Sequence, residues 1–382
     1  MNPVFASLDT TIFEAMSARA RETRAINLGQ GFPEEDGCPA VIAAAAAALT
    51  GQSNQYPPMP GLPVLRDAVA GWYNDTQGTD IAAQEVIVTS GATEALAAAI
   101  LALVSPGDQV VLVQPLYDAY LPLVQRAGGD ARLITLAPPD WRLTREMLDA
   151  VADRPRFILL NDPVNPTGAM MDDATRAMIA RWCVEHDVIA ICDEVWEGVT
   201  FDGRRHRPLM TEAGMRERTV KIGSAGKLFA LTGWKVGWLC AAPALSSVLA
   251  KAHQFITFTT PPALQWGVAH GLTHERGWIE GMATDLQRSR DRLASGLAQA
   301  GFITTPSAGT YFLSVDLPAS GIAMGDVEFS EWAIDHAGVA SIPLSAFFAA
   351  DPVTTHVRLC FAKSDATLDA AIERLAKARA LA

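Results

Sequence analysis

From Glu85 onward the chain alternates short apolar runs rich in Val and Ile with longer stretches whose apolar residues recur at helical spacing. The runs are EVIVTSG, QVVLVQP, RFILLNDP, VIAICDEV, TVKIGSAG and KVGWLCA; TEALAAAILALV and ATRAMIARWCVEHD lie between them. Strands separated by crossover-length helices predict a parallel α/β sheet. KVGWLCA follows its predecessor too closely for a helix, so it is expected to run antiparallel. Beyond about residue 270 the pattern changes. The charged helical stretch DLQRSRDRLASGLAQA leads to TYFLSVDL, another helix, VRLCFAK and a final amphipathic helix. This reads as a smaller α+β domain, completed by the N-terminal segment with its amphipathic TIFEAMSARA helix.

Composition narrows the classes. A chain of 382 residues, 49% apolar, can bury a large core. The net charge of -12 is scattered, and no basic stripe suits a phosphate backbone, so nucleic acid is not expected as a partner. Cys38, Cys183, Cys192, Cys240 and Cys360 are odd in number and far apart, which fits a reducing, cytoplasmic setting. The alanine run Ala43–Ala48 and EALAAAILALV are too short to span a bilayer, and no membrane association is expected.

Several motifs drop out on their own chemistry. IGSAGKL lacks the upstream glycine and following hydroxyl of a P-loop, and GQGFPE carries two of the three dinucleotide-fingerprint glycines. His270 and His274 stand four apart without accompanying ligands, so a solvated helix face is expected and no metal.

What remains gathers at predicted strand ends. Gly91-Ala92-Thr93 opens a helix and offers backbone N–H groups to an anion, or is an ordinary cap. Asp162 to Gly168, DPVNPTG, either holds the Asn165 amide rigidly or is an Asn-Pro turn. Asp193-Glu194 ends a buried strand, where a carboxylate needs a positive partner, whether a ligand or a structural salt bridge. Lys227, beside Gly226, becomes a carbonyl-directed nucleophile if desolvated and is a surface lysine otherwise.

In order, Gly91-Ala92-Thr93, Tyr117, NDPVNPTG, DEVW, SAGKLFALTGWKVGW and Arg358 resemble the class I/II aminotransferases of fold type I, and most of all their methionine and kynurenine aminotransferase branch. NLGQGFP, NQYPPMPG, KAHQFITF and RLCFAK extend the likeness over nearly the whole chain. The resemblance implies a pyridoxal 5'-phosphate enzyme with a mostly parallel seven-stranded sheet in a large domain, residues 41–270. Residues 1–40 and 271–382 would form the small domain. It implies that Lys227 binds the cofactor aldehyde covalently and carries protons. Lys235, Ser224, Thr93 and the Gly91-Ala92 backbone would hold the phosphate, with Tyr56 reaching it from the partner of a homodimer. Asp193 would pair with the pyridine nitrogen, Asn165 with the phenolate oxygen, and Tyr117, rather than Tyr120, would stack on the ring. Arg358 and the Gly31 backbone would take the substrate carboxylate. Trp196 departs from the pattern, since the family carries tyrosine there and its hydroxyl meets the phenolate.

KAHQFITFTTPP contains no arginine for a second carboxylate. With Phe13, and Phe258 across the dimer, this implies a neutral pocket for methionine, phenylalanine, tyrosine or kynurenine, whose amine passes to a 2-oxo acid in a ping-pong cycle. A β-lyase acting on cysteine conjugates or cystathionine is the alternative chemistry. A non-enzymatic regulator would need a DNA-binding segment, for which no room is expected ahead of TIFEAMSARA.

Overall fold

The computed structural model describes residues 1–8 and 10–379. From edge to edge, its large sheet runs Val86–Thr89, Gly237–Ala241, Thr219–Ser224, Ile189–Asp193, Pro155–Asn161, Gln109–Gln114, Asp130–Thr135. Five of these strands pair in parallel, while Gly237–Ala241 is antiparallel to both neighbours, as its short connection predicts. The central strands read as continuous apolar runs because helices cover both faces. Ile158, Ala190, Ile191 and Val220 are fully buried.

The helices begin and end where the local chemistry directs. Asp172 caps Asp173–Glu185 by accepting from Thr175 N at 2.7 Å. Pro243 opens Pro243–Ile256, where its missing N–H costs nothing. The 24-residue helix Arg276–Gln299 leads to an antiparallel sheet ordered Ile342–Pro343, His356–Cys360, Phe312–Asp316, Ile303–Thr304. Ile26–Asn27 pairs with Val339–Ala340, joining the N-terminal segment to this C-terminal part. His270 and His274 lie on the helix Pro262–His274 with rings 4.8 Å apart, and all five cysteines are free and buried. No described helix is long and apolar enough to cross a membrane.

Sheet register places the site. Asn161 pairs with Asp193, and Asp193 with Ile222, so three parallel strands end side by side. Open α/β sheets bind ligands beyond this carboxyl edge.

Candidate active site

At one end, the helix Gly91–Leu103 starts with N–H groups that have no partner within the helix. Gly91 takes φ +77°, and a Cβ there would lie 3.2 Å from both Cε and Nζ of Lys235. The glycine thus lets a cation close on the helix N-terminus. A Cβ on Gly237 would lie 2.7 Å from the Gly91 carbonyl carbon, so two backbones meet here as well. Ser224 closes its strand on the same cavity, of about 200 Å³, which Thr93, Tyr117, Asn165, Asp193 and Trp196 also line.

In the middle, Asp193 is buried and makes no salt bridge among the described residues. Tyr120 donates its hydroxyl to Oδ2 at 2.6 Å, and Val195 N donates to Oδ1 at 3.4 Å. Burial raises the Asp193 pKa against these two bonds. Asn161 fixes the strand ends: its Nδ2 donates to Asp193 O and its Oδ1 accepts from Asn165 N, both at 2.8 Å. The Tyr117 ring stands edge-on to Tyr120, centroids 5.7 Å apart.

Lys227 sits in the short helix Ala225–Leu228, with Nζ 4.5 Å from the Trp196 ring centroid. Burial lowers its pKa to about 8, although Asp193 pulls the other way. Its amine donates to Tyr311 Oη at 3.1 Å, and Tyr311 in turn donates to Gly31 O. Lys227 and Tyr311 also form one wall of a larger cavity, about 540 Å³, reaching Glu34, Trp278 and Lys363.

At the far end, Arg358 projects from His356–Cys360 and is 3% exposed. Nη2 donates to Gly29 O at 2.7 Å and Nη1 to Asn165 Oδ1 at 2.9 Å. Its guanidinium carbon lies 3.9 Å from the Phe312 ring centroid, 5.0 Å from Phe347 and 5.7 Å from Phe13. Nε is buried without a partner, and burial lowers the pKa to about 10. Such a group is suited to an incoming carboxylate.

Tyr56 and Phe258 stand apart from this constellation. They pack edge-to-face at 5.6 Å, 84% and 39% exposed, and do not line the 200 Å³ cavity. Tyr120, Asn161 and Tyr311 were not singled out for these contacts by sequence; the resemblance gives Tyr120 only as the less favoured ring stacker, and Asn161 opens the NDPVNPTG stretch without a role of its own. Glu194 parts from Asp193. It meets Lys221 Nζ at 2.5 Å in a buried cluster with Glu197, which receives the same ammonium at 2.6 Å.

The family profile described as aminotransferase class I and II matches residues 23–375. A probable N-succinyldiaminopimelate aminotransferase of Mycobacterium tuberculosis is 43% identical over 381 residues, covering 96% of this chain and 95% of that one. The solved structure of the N-succinyldiaminopimelate aminotransferase from Mycobacterium tuberculosis superposes with TM-score 0.95 at 42% identity, covering 99% of this chain and all of the other. The methionine aminotransferase of Escherichia coli is 40% identical over 372 residues, with 96% of each chain covered. Kynurenine–oxoglutarate transaminase 1 of Homo sapiens is 32% identical, with 94% of this chain and 93% of that one covered.

Proposed function

We propose, for a chain that belongs to the class I and II aminotransferases and is therefore pyridoxal-phosphate-dependent, that the amino donor is an apolar, sulfur-containing or aromatic L-amino acid. The amine passes to a 2-oxo acid in a ping-pong cycle. The observation that carries the donor class is Phe13, half-buried beside the carboxylate clamp, its ring centroid 5.7 Å from the Arg358 guanidinium carbon and 5.1 Å from the buried Phe347 ring.

The residues fit the cofactor. The Gly91–Lys235 contact, the free N–H groups of the helix start and Ser224 form an anion cradle for its phosphate. Asp193, buried and without an ion-pair partner among the described residues, suits a protonated ring nitrogen. Asn165 keeps Nδ2 available for the phenolate oxygen, since its Oδ1 is engaged by Arg358. Tyr117 offers a ring face on the same cavity.

When bound, pyridoxal phosphate supplies an electron sink for the pair left at the substrate Cα. Lys227, with a pKa near 8, is the group that takes the Cα proton and returns it, because both protonation states are populated near neutrality. Arg358 would take the carboxylate with its N–H donors, and Tyr120, by donating to Asp193, fixes the carboxylate that would pair with the cofactor's ring nitrogen. The exposed Tyr56–Phe258 pair completes the site of a second copy, which makes the working unit a homodimer. Five free cysteines suit a cytoplasmic setting.

One further donor is favoured by a specific observation: the 43% identical relative is named for N-succinyldiaminopimelate. A single-turnover absorbance panel tests both. Methionine, phenylalanine, tyrosine, kynurenine and N-succinyl-LL-diaminopimelate are compared with aspartate and glutamate, without an acceptor. Faster reaction with a free dicarboxylic amino acid would overturn the proposal, and parallel initial-rate plots are expected for the two-substrate reaction.

A further inference from the structure

Tyr311 immediately precedes Phe312–Asp316 and is 2% exposed. Its ring is held edge-on by Trp196, with centroids 4.4 Å apart, and by Phe312 at 4.9 Å. A phenol has one proton to give and lone pairs to accept with. The Tyr311 proton goes to Gly31 O, so toward Lys227 the hydroxyl can act only as an acceptor. An amine donating one N–H to Tyr311, with Trp196 beside it, keeps its lone pair free for the pocket.

Gly31 is tied to the other end of the site. The Gly29 carbonyl receives Arg358 Nη2, and a Cβ on Gly31 would lie 2.9 Å from Phe312 Cζ. Segment 29–31 is therefore clamped between the guanidinium and the phenol.

We infer that Tyr311 is a positioning residue whose single hydroxyl orients the Lys227 amine and couples it, through Gly31 and Gly29, to the carboxylate clamp at Arg358. A carboxylate drawn to Arg358 shifts the load on segment 29–31. The acceptor of the Tyr311 proton then moves, and with it the place where the lysine amine is held. This rests on the assignment of Lys227 given above.

The test is Tyr311→Phe in the full chain, which removes only the oxygen. In protein freed of cofactor, trace acetic anhydride labels Lys227 against the exposed Lys251, and mass spectrometry follows the ratio across pH. Asp193 and Cys360 favour the ammonium, Arg358 and Lys235 disfavour it, and all four remain in the variant. Loss of the acceptor takes a hydrogen bond from the ammonium, so the midpoint is expected to fall by about one pH unit. In the holoenzyme, kcat is expected to fall about tenfold with KM changed less than about twofold, and the α-deuterium isotope effect to rise. 3-Fluorotyrosine at position 311, a weaker acceptor of the same shape, should move the midpoint the same way, and decides the matter should the phenylalanine variant fold poorly.

An unchanged midpoint and isotope effect in both variants would overturn the role of Tyr311. A wild-type Lys227 that neither titrates near 8 nor takes the cofactor would overturn the assignment beneath it instead.

Discussion

Lys221→Met isolates what the buried cluster behind Asp193 contributes. The Lys221 ammonium is fully buried, 2.5 Å from Glu194 Oε2 and 2.6 Å from Glu197 Oε2, and these carboxylates raise its pKa against the burial that lowers it. Methionine keeps the stem and removes the charge. Glu197 retains the Tyr73 hydroxyl at 2.7 Å and Gln77 Nε2 at 2.8 Å, and Glu194 retains Leu209 N at 3.2 Å. Two carboxylates whose oxygens lie within 4.8 Å of each other would then face one another without a cation. Their repulsion at an effective dielectric of about 20 is roughly 3.5 kcal/mol. The alternative is to protonate one of them at pH 7, and from an ordinary pKa of about 4.3 that costs about 3.7 kcal/mol. Both routes give the same loss, about 4 kcal/mol, within the range seen when a buried pair is broken.

The sign of the pH dependence follows. The variant's folded carboxyl has a raised pKa, so its contribution is whole below about pH 4.3 and is lost as pH rises. Urea unfolding at fixed protomer concentration, read by tryptophan fluorescence, should show a deficit of about 4 kcal/mol at neutral pH that shrinks to about 2 kcal/mol at pH 5.5. A deficit below about 1 kcal/mol, or one that widens as pH falls, would refute the reasoning. Adding Glu197→Gln should recover part of the loss at neutral pH.

Three other substitutions have defined outcomes. Arg358→Lys keeps the charge but not the fork, and donor KM measured by initial rates should rise about 30-fold, the equivalent of about 2 kcal/mol. Asp162 is raised to about 7 by burial, with His206 at 3.5 Å and Arg176, Lys221 and Glu194 also facing it. Its contribution to stability is whole below about pH 3.9 and is lost as pH rises through 7. Asp162→Asn should therefore gain on the wild type by up to about 4 kcal/mol between pH 4 and 7 in urea unfolding. Trp196→Tyr places a hydroxyl where the family carries one. In the reconstituted holoenzyme, a visible pH titration should show the cofactor transition moving to lower pH.

The large sheet was legible because its buried strands read as short, mostly apolar runs between helical stretches, and six of its seven strands stand out in this way. Asp130–Thr135 did not. It is an edge strand with Asp130 and Arg132 outermost, the charged dressing by which edges avoid further pairing, and that erases the apolar signal. At the site, glycines, prolines and strand ends drew attention to Lys227, Asp193 and Asn165, whereas Arg358, in the middle of its strand, was named only through the family resemblance. Tyr311 could not be named, since it meets Lys227 and Gly31 across long sequence separations, and Asn161 joins its near neighbour Asn165 to the distant Asp193 backbone, a link that only the folded strands reveal. A pair such as Asp193-Glu194 is equally opaque. Adjacent carboxylates on a strand end point to opposite sides, one into the cavity and one to Lys221, and only the packing says which is which.

The most direct measurement is where the cofactor attaches. The full chain is incubated with pyridoxal 5'-phosphate, reduced with borohydride, digested, and mapped by mass spectrometry. The expected result is a stoichiometric adduct on the peptide carrying Lys227, absent from Lys227→Ala, with Lys235 unmodified. An adduct centred on Lys235 or any other lysine, or retention of the visible cofactor band by Lys227→Ala, would contradict it.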